Sequence, residues 1–158
     1  MELLLEHPAE LETEDEKISS LLHAALQSRL AFLLNLAYRN EFNIFTELDL
    51  DFASGKTRPD LCIFPKRTLD WREDEIVVSD VPLTTIEILS PQQSMDGLID
   101  RVYKKHFPAG VKTVWMVFPP IEVVTIFRAD RRLFNFTEGT VTDPVTGLHL
   151  AHAEVFEG

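Results

Sequence analysis

A buried strand that carries one carboxylate is predicted for Leu83-Thr84-Thr85-Ile86-Glu87-Ile88-Leu89-Ser90-Pro91. Its β-branched and apolar residues suit a core strand, and the proline ends it because proline cannot donate to a central ladder. An unpaired carboxylate in such a strand would be costly to bury. The stretch therefore predicts a ligand, a proton or a basic partner for Glu87.

A second carboxylate opens the core strand that precedes this one. Pro59-Asp60 leads into the apolar run Leu61-Cys62-Ile63-Phe64, so Asp60 lies at the mouth of a strand and could meet Glu87 across neighbouring strands. Mg²⁺ needs few protein ligands, because it binds one or two carboxylates and keeps several waters. The pair indicates a divalent-metal seat, to which the backbone carbonyl of Ile88 could add a third oxygen. Surface acids without a metal are the open alternative.

Residues 46–52 predict a half-buried strand just before this pair. Leu48, Leu50 and Phe52 alternate with acidic residues, so Glu47 falls on the polar face of the strand. Ser54-Gly55-Lys56 then supplies a turn. Glu47 is either a further acid for the site or a solvent-facing strand residue.

Two helices flank these strands in the sequence. Residues 13–39 predict a long helix that starts with a capping box at Thr13 and Glu16, and residues 94–107 predict a second helix that Pro108 and Gly110 end. The first helix has a broad apolar face, formed by a stripe at Ile18, Leu22, Ala25, Leu33 and Leu36 and widened by Leu21, Leu26, Leu30 and Phe32. We expect it to pack on a sheet.

The rest of the chain is rich in strand signals. Residues 111–118 form a nearly continuous apolar run typical of a central strand, residues 121–128 and 133–136 suggest a hairpin, and the C-terminus suggests a short strand or turn. Residues 65–80 read as a long surface connection, with a small strand at Ile76-Val77-Val78. The order predicts an α/β fold, a mixed sheet flanked by helices, in one domain of residues 1–158 with an acidic extension at 1–12.

Composition narrows the class of protein. Apolar residues make up 45% and charged residues 26% of the chain, which are ordinary globular values. No apolar run approaches the roughly 20 residues that span a bilayer, and the acidic N-terminus lacks a basic leader, so we expect a cytoplasmic protein without a membrane partner. Cys62 is expected to be a small buried hydrophobe.

The net charge of −11 argues against a sequence-independent grip on nucleic acid, which depends on Lys and Arg. Seven of these charges lie within residues 1–16, which leaves −4 for the remainder. Between residues 98 and 132 the sign reverses, through Arg101, Lys104, Lys105, Lys112, Arg128, Arg131 and Arg132. These cations form either a phosphate-facing patch or solvated surface charge.

The order of motifs resembles the Uma-two endonuclease family of the PD-(D/E)xK restriction-endonuclease-like superfamily. The resemblance runs from the first helix to about Phe127. It depends on Arg58-Pro59-Asp60-Leu61, on Ile86-Glu87-Ile88-Leu89-Ser90-Pro91, on the helix that follows, and on residues 109–120 with their Gly-Val pair and Trp115 strand. It implies a restriction-endonuclease-like mixed β-sheet flanked by helices.

The resemblance also implies the site. Asp60 and Glu87 match the family's metal-binding carboxylates, whereas the superfamily's lysine position, two residues after the glutamate, holds Leu89. Members of the family tend to carry the basic residue on the next helix, where Arg101 is the best match and Lys104 and Lys105 are substitutes. Arginine steadies negative charge but is a poor proton acceptor, so any catalytic role of Arg101 is electrostatic.

Two functions of different class follow. The first is an endonuclease that uses Mg²⁺ or Mn²⁺ to hydrolyse phosphodiester bonds of nucleic acid, with DNA the favoured substrate; Asp60, Glu87, Ile88 and Glu47 are its metal ligands and Arg101 steadies the phosphate. The second is a nuclease-fold binding or scaffold domain without turnover, which Leu89, Arg101 and the acidity of the chain motivate. A homodimer is compatible with either, because exposed strand edges often pair.

Overall fold

The computed structural model describes residues 19–158. In chain order its elements are α1 (Leu21–Tyr38), β1 (Phe42–Thr46), β2 (Leu50–Phe52), β3 (Gly55–Thr57), β4 (Leu61–Pro65), β5 (Thr84–Ile88), α2 (Met95–Arg101), a π-turn (Val102–His106), α3 (Phe107–Ala109), β6 (Thr113–Phe118), a 3₁₀ turn (Pro119–Ile121), β7 (Val123–Arg128), β8 (Leu133–Phe136), β9 (Thr140–Thr142), β10 (His149–Ala151) and α4 (His152–Phe156).

Six strands form one mixed sheet in the order β1-β4-β5-β6-β7-β8. The pairing of β5 with β6 is parallel, and every other neighbouring pair in this sheet is antiparallel. All residues of β5 and β6 are buried, as their apolar runs predicted. The predicted mixed sheet and the hairpin of β7 with β8 are therefore confirmed.

Helices cover both faces of this sheet. On one face α1 and the C-terminal hairpin of β9 with β10 pack over Leu61, Ile86 and Trp115. On the other face α2, the π-turn and the hairpin of β2 with β3 cover Cys62 and Met116. Burial raises the pKa of the Cys62 thiol to about 12, so this residue is the neutral hydrophobe that was expected. Within residues 19–158, no helix has the length and apolarity that crossing a membrane requires.

The first helix differs from its prediction in two respects. It begins at Leu21, after an extended Ser20 whose Oγ accepts the His23 N–H at 3.2 Å, so it does not run continuously from Thr13. The predicted cap at Thr13 and Glu16 lies outside the described residues. The buried stripe is His23, Leu26, Leu30 and Leu34, while the predicted stripe residues Leu22, Ala25 and Leu36 are exposed. A helix that is apolar on most sides does not reveal by periodicity which side packs.

The predicted strand over residues 46–52 is wrong at its centre. β1 ends at Thr46, and Glu47 then adopts φ +49, a left-handed conformation that breaks the strand before β2 starts at Leu50. Leu50 and Phe52 are buried, as their alternation predicted. The predicted turn at 54–56 became part of the hairpin of β2 with β3. Val78 forms an isolated bridge with Leu50, where a small strand was expected.

The second helical segment has the predicted position in the sequence but is not one regular α-helix. The helix begins where it was expected, with Ser94 as the N-cap of α2, and Gly110 ends α3 in a left-handed conformation at φ +112. Between α2 and α3 the chain forms the π-turn, which no periodicity in the sequence indicated. The C-terminal hairpin and α4 give more structure to that end of the chain than the predicted strand or turn.

A buried acid that the sequence did not single out joins the C-terminal hairpin loop to the sheet. Asp143 is 1% exposed, and its Oδ2 accepts the indole N–H of Trp115 at 2.8 Å and the hydroxyl of Thr113. Its Oδ1 accepts the backbone N–H groups of Val145 and Thr146. Four donors therefore depend on one carboxylate.

We predict that Asp143→Ala destabilises the protein by about 2–6 kcal/mol, because the two fully buried donors, on Trp115 and Thr113, would each cost about 1–3 kcal/mol without an acceptor. Urea denaturation of the full chain measures this free energy of unfolding. Asp130→Ala is the matched control, since Asp130 is 45% exposed, and its change should stay within about 0.5 kcal/mol. Equal midpoints for the two variants would contradict the assigned role of Asp143.

Candidate active site

Asp60 lies immediately before β4 and is 1% exposed. Its Oδ2 accepts the backbone N–H of Ile88 in β5 at 2.7 Å, and its Oδ1 is 3.0 Å from Nε2 of His23 in α1. At the end of β4 the Asp60 side chain thus accepts a hydrogen bond from β5, as a strand carbonyl does within the ladder. One buried carboxylate connects β4, β5 and α1.

Arg58, two residues before Asp60, forms an ion pair with Asp49. Its guanidinium donates two hydrogen bonds to Asp49, from Nε at 2.7 Å and from Nη2 at 3.2 Å. This fork holds the pKa of the Asp49 carboxyl below its usual range. Arg58, the first residue of the Arg-Pro-Asp sequence that precedes β4, is therefore bonded to the loop that follows β1.

Glu87 lies at the same end of the β4–β5 ladder as Asp60. Leu61 pairs with Ile86 across antiparallel β4 and β5, and Asp60 precedes this pair while Glu87 follows it. Glu87 is 2% exposed, and its Oε2 lies 3.7 Å from Nη1 of Arg101 and 3.9 Å from Nε2 of His106.

Ile88 presents its main chain to the same place. Its N–H is bonded to Asp60, and in a strand the N–H and C=O of one residue point to the same neighbour. The Ile88 carbonyl therefore lies on the edge of β5 that faces Asp60. Two carboxylates and a carbonyl at one strand end form a set of hard oxygen donors, which suits Mg²⁺ or Mn²⁺.

The donor set is small. Within residues 19–158 no group of three or more His, Cys, Asp or Glu side chains has the arrangement of a metal site. An ion held at this strand end would take few ligands from the protein and would keep most of its water, as Mg²⁺ does.

Glu47 lies beside Asp60 but not where it was predicted. Its backbone N–H donates to the Asp60 carbonyl at 3.1 Å, and the amide of Gln27 donates to both Glu47 Oε2 and the Asp60 carbonyl. Its side chain is exposed and follows β1 in a left-handed turn, so it is not on the polar face of a strand. Glu47 is thus linked to Asp60 at the rim of the site.

Of the three cations predicted for the following helix, Arg101 is brought to Glu87. Its side chain is 12% exposed at the end of α2. Lys104 is exposed and pairs with Asp100 at 3.0 Å, and Lys105 donates to the Lys56 carbonyl at 3.0 Å. The structure thus separates the predicted residue from its two predicted substitutes.

Sequence reasoning missed two histidines at this site. His23 is 5% exposed and shares the buried stripe of α1, where its spacing to Leu26 was a signal that a polar side chain faced the core. His106 is fully buried, with Nδ1 2.8 Å from Thr85 Oγ1. It follows two lysines, and that context made it look like part of a solvated basic run.

Part of the basic tract gathers near α2. The guanidinium of Arg131, in the turn between β7 and β8, stacks 4.4 Å from the ring centroid of Tyr103 in the π-turn. In the same turn Arg128 and Arg132 share Asp130 as an acidic partner. Cations from two distant segments therefore occupy neighbouring surface.

The chain is similar to proteins of known family and fold. A family model described as Uma2, "Putative restriction endonuclease", matches residues 12–153. No protein of curated function matches the chain. Among solved structures, one described as a "putative nuclease belonging to DUF820" from Anabaena variabilis is 25% identical, with TM-score 0.74 over 89% of this chain and 83% of that one.

A second solved structure, of a DrdV–DNA complex, is 12% identical with TM-score 0.38, over 72% of this chain and 12% of that one. This overlap is too weak to carry an argument. The first match confirms a fold of the restriction-endonuclease-like kind, with a mixed sheet flanked by few helices. Because the family model spans most of its length, the chain belongs to the Uma2 family of restriction-endonuclease-like nucleases.

Proposed function

We propose that this protein is a Mg²⁺- or Mn²⁺-dependent endonuclease that hydrolyses phosphodiester bonds of nucleic acid. The observation that carries the proposal is the position of two buried acids at one strand end: Asp60 precedes the Leu61–Ile86 pair of β4 and β5, and Glu87 follows it. Buried acids at matching ends of two paired strands are costly without a compensating cation. Membership of a nuclease family supports the same reaction.

In this proposal Asp60, Glu87 and the Ile88 carbonyl hold the ion, with Glu47 as a further acid at the rim. A bound divalent ion lowers the pKa of water and offsets charge on the scissile phosphate. Asp60 is preoriented for this role, because its Oδ2 is fixed by the Ile88 N–H at 2.7 Å. Such fixed orientation lets the site bind an ion without first ordering its ligands.

Arg101 has the electrostatic role. A guanidinium is suited to steady a phosphate and is unsuited to remove a proton. Its Nη1 lies 3.7 Å from Glu87 Oε2, which sets its charge beside the carboxylate pair. A phosphate bound between them would meet a positive group already in position.

DNA is the proposed substrate, approached from the side of α2. The support is the group of cations there, where Arg131 stacks on Tyr103 and Lys104 is exposed. Lys and Arg displace counterions from phosphates, which lets a chain of net charge −11 bind DNA through one local surface. Binding should therefore weaken steeply as salt is raised.

A binding domain without turnover is the second candidate, and one observation favours it. The carboxylates already face basic groups, since His23 is 3.0 Å from Asp60 and Arg101 is 3.7 Å from Glu87. Half-buried Leu89 also supplies no lysine. A domain of this kind keeps the fold and the acids but has lost the reaction.

Cleavage of supercoiled, nicked and single-stranded DNA with Mn²⁺ tests the proposal. We expect Asp60→Asn to lower the rate at least about 100-fold, since loss even of a ligand's partner costs 10–100-fold. Glu138→Gln, at an exposed acid between β8 and β9, is the control and should cleave like the wild type.

Equal cleavage by wild type and Asp60→Asn would reject the enzyme. Calorimetry with Mn²⁺ separates the alternatives when no cleavage is seen. Binding of Mn²⁺ without cleavage leaves the metal seat but favours a different substrate or lost turnover. If the protein binds no Mn²⁺ at millimolar concentration, the result favours the binding domain without turnover.

We also propose that the protein forms a homodimer through β1. This strand is at one end of the sheet and, within the described part of the chain, pairs only with β4. Its sequence Phe42-Asn43-Ile44-Phe45-Thr46 has no proline or charge to protect the edge. Phe32 and Leu36 of α1, which are 63% and 70% exposed, line the same groove.

Light scattering after gel filtration should give twice the mass of one chain, and Phe32→Glu should shift the protein to the monomer, because a charge would be buried between the copies. Ile121→Glu is the matched control, since Ile121 is 66% exposed on the 3₁₀ turn. If the wild type remains a monomer over a 100-fold range of concentration, the proposed dimer is wrong. The proposed chemistry is unaffected by that result.

A further inference from the structure

Two basic side chains five residues apart contact the same carboxylate oxygen. Arg101 Nη1 and His106 Nε2 lie 3.7 Å and 3.9 Å from Glu87 Oε2. In a regular α-helix such residues are about 140° apart around the axis and roughly 7.5 Å apart along it, so they do not face one partner. Their convergence on Glu87 needs a different local backbone.

The π-turn supplies that backbone. Val102–His106 form it, and the Phe107 N–H bonds to the Val102 carbonyl five residues earlier. This wider turn realigns positions i and i+5, which α-helical geometry would separate. Single π-turns of this kind are frequent at functional sites.

The imidazole of His106 is held in one orientation. Its Nδ1 is 2.8 Å from Thr85 Oγ1, and Thr85 shares a face of β5 with Glu87 because the two are separated by one residue. Its Nε2 is 3.4 Å from Thr57 Oγ1, in the hairpin that closes over the ring, and the ring packs edge-on to Phe52. With Nδ1 at Thr85, Nε2 is the nitrogen directed to Glu87.

We propose that His106 is a positioning residue that, together with Arg101, holds the Glu87 carboxylate in a fixed orientation. Leu89 carries no charge at the position of the superfamily's lysine, and the end of α2 and the π-turn bring two basic side chains to Glu87 in its place. The role in ion binding rests on the proposed function. The contact between His106 and Glu87 does not.

Mn²⁺ calorimetry on the full chain tests the role in ion binding. His106→Gln should raise the Kd roughly 10–100-fold, the usual effect of losing a partner that orients a metal ligand. Thr85→Val keeps the imidazole but removes its Nδ1 partner, so it should weaken binding in the same direction, and it serves if His106→Gln fails to fold. His152→Gln is the control, because His152 is buried and bonds to the Glu122 carbonyl in another part of the fold.

An unchanged Kd in both site variants would overturn the positioning role. Should the wild type bind no Mn²⁺, the proposed function fails and urea midpoints of Glu87→Gln, His106→Gln and the double variant decide the inference. We expect the double variant to lose clearly less than the two single losses added together, because the residues share one interaction. Additive losses would overturn the pairing.

Discussion

The hydrogen bond from the Ile88 N–H to Asp60 is the constraint on which the site depends. It makes the carboxylate part of the sheet, so a side chain at the end of β4 is as fixed as the ladder it continues. The 3.0 Å contact with His23 then ties α1 to the same group. Without these two contacts the Asp60 side chain would be free to change rotamer. The ends of β4 and β5 would then share no fixed polar group.

The central strands of the sheet could be predicted because both of their faces are buried and their composition reflects this. The run that became β6 is apolar nearly throughout, the run that became β5 is rich in β-branched residues, and a proline follows each of them. The face of α1 could not be predicted, since that helix is apolar on most sides and the buried face is chosen by contacts with β1 and the C-terminal α4. Local patterns specify a strand here more strongly than a helix orientation.

The same distinction applies to the site. Asp60 and Glu87 were recognisable because each interrupts or begins an apolar run, and their roles as ligands remain a prediction. The break at Glu47 depends on a backbone conformation with φ +49, which a non-glycine residue does not advertise in sequence. His106 was hidden for a related reason: the spacing that makes it face Glu87 exists only in a π-turn.

The cost of burying these groups bears on why they are there. Glu87 at 2% exposure, Arg101 at 12% and a fully buried His106 form a cluster of charged and polar groups. Buried ion pairs in general stabilise a fold no more than well-packed apolar residues of similar volume, so such a cluster is weak evidence for a role in stability. A carboxylate held by two basic groups in a dry site instead retains an orientation and a local charge balance, which an ion and a phosphate would both use. In the proposed function this orientation serves ion binding, and the surrounding strands provide the rigidity it needs.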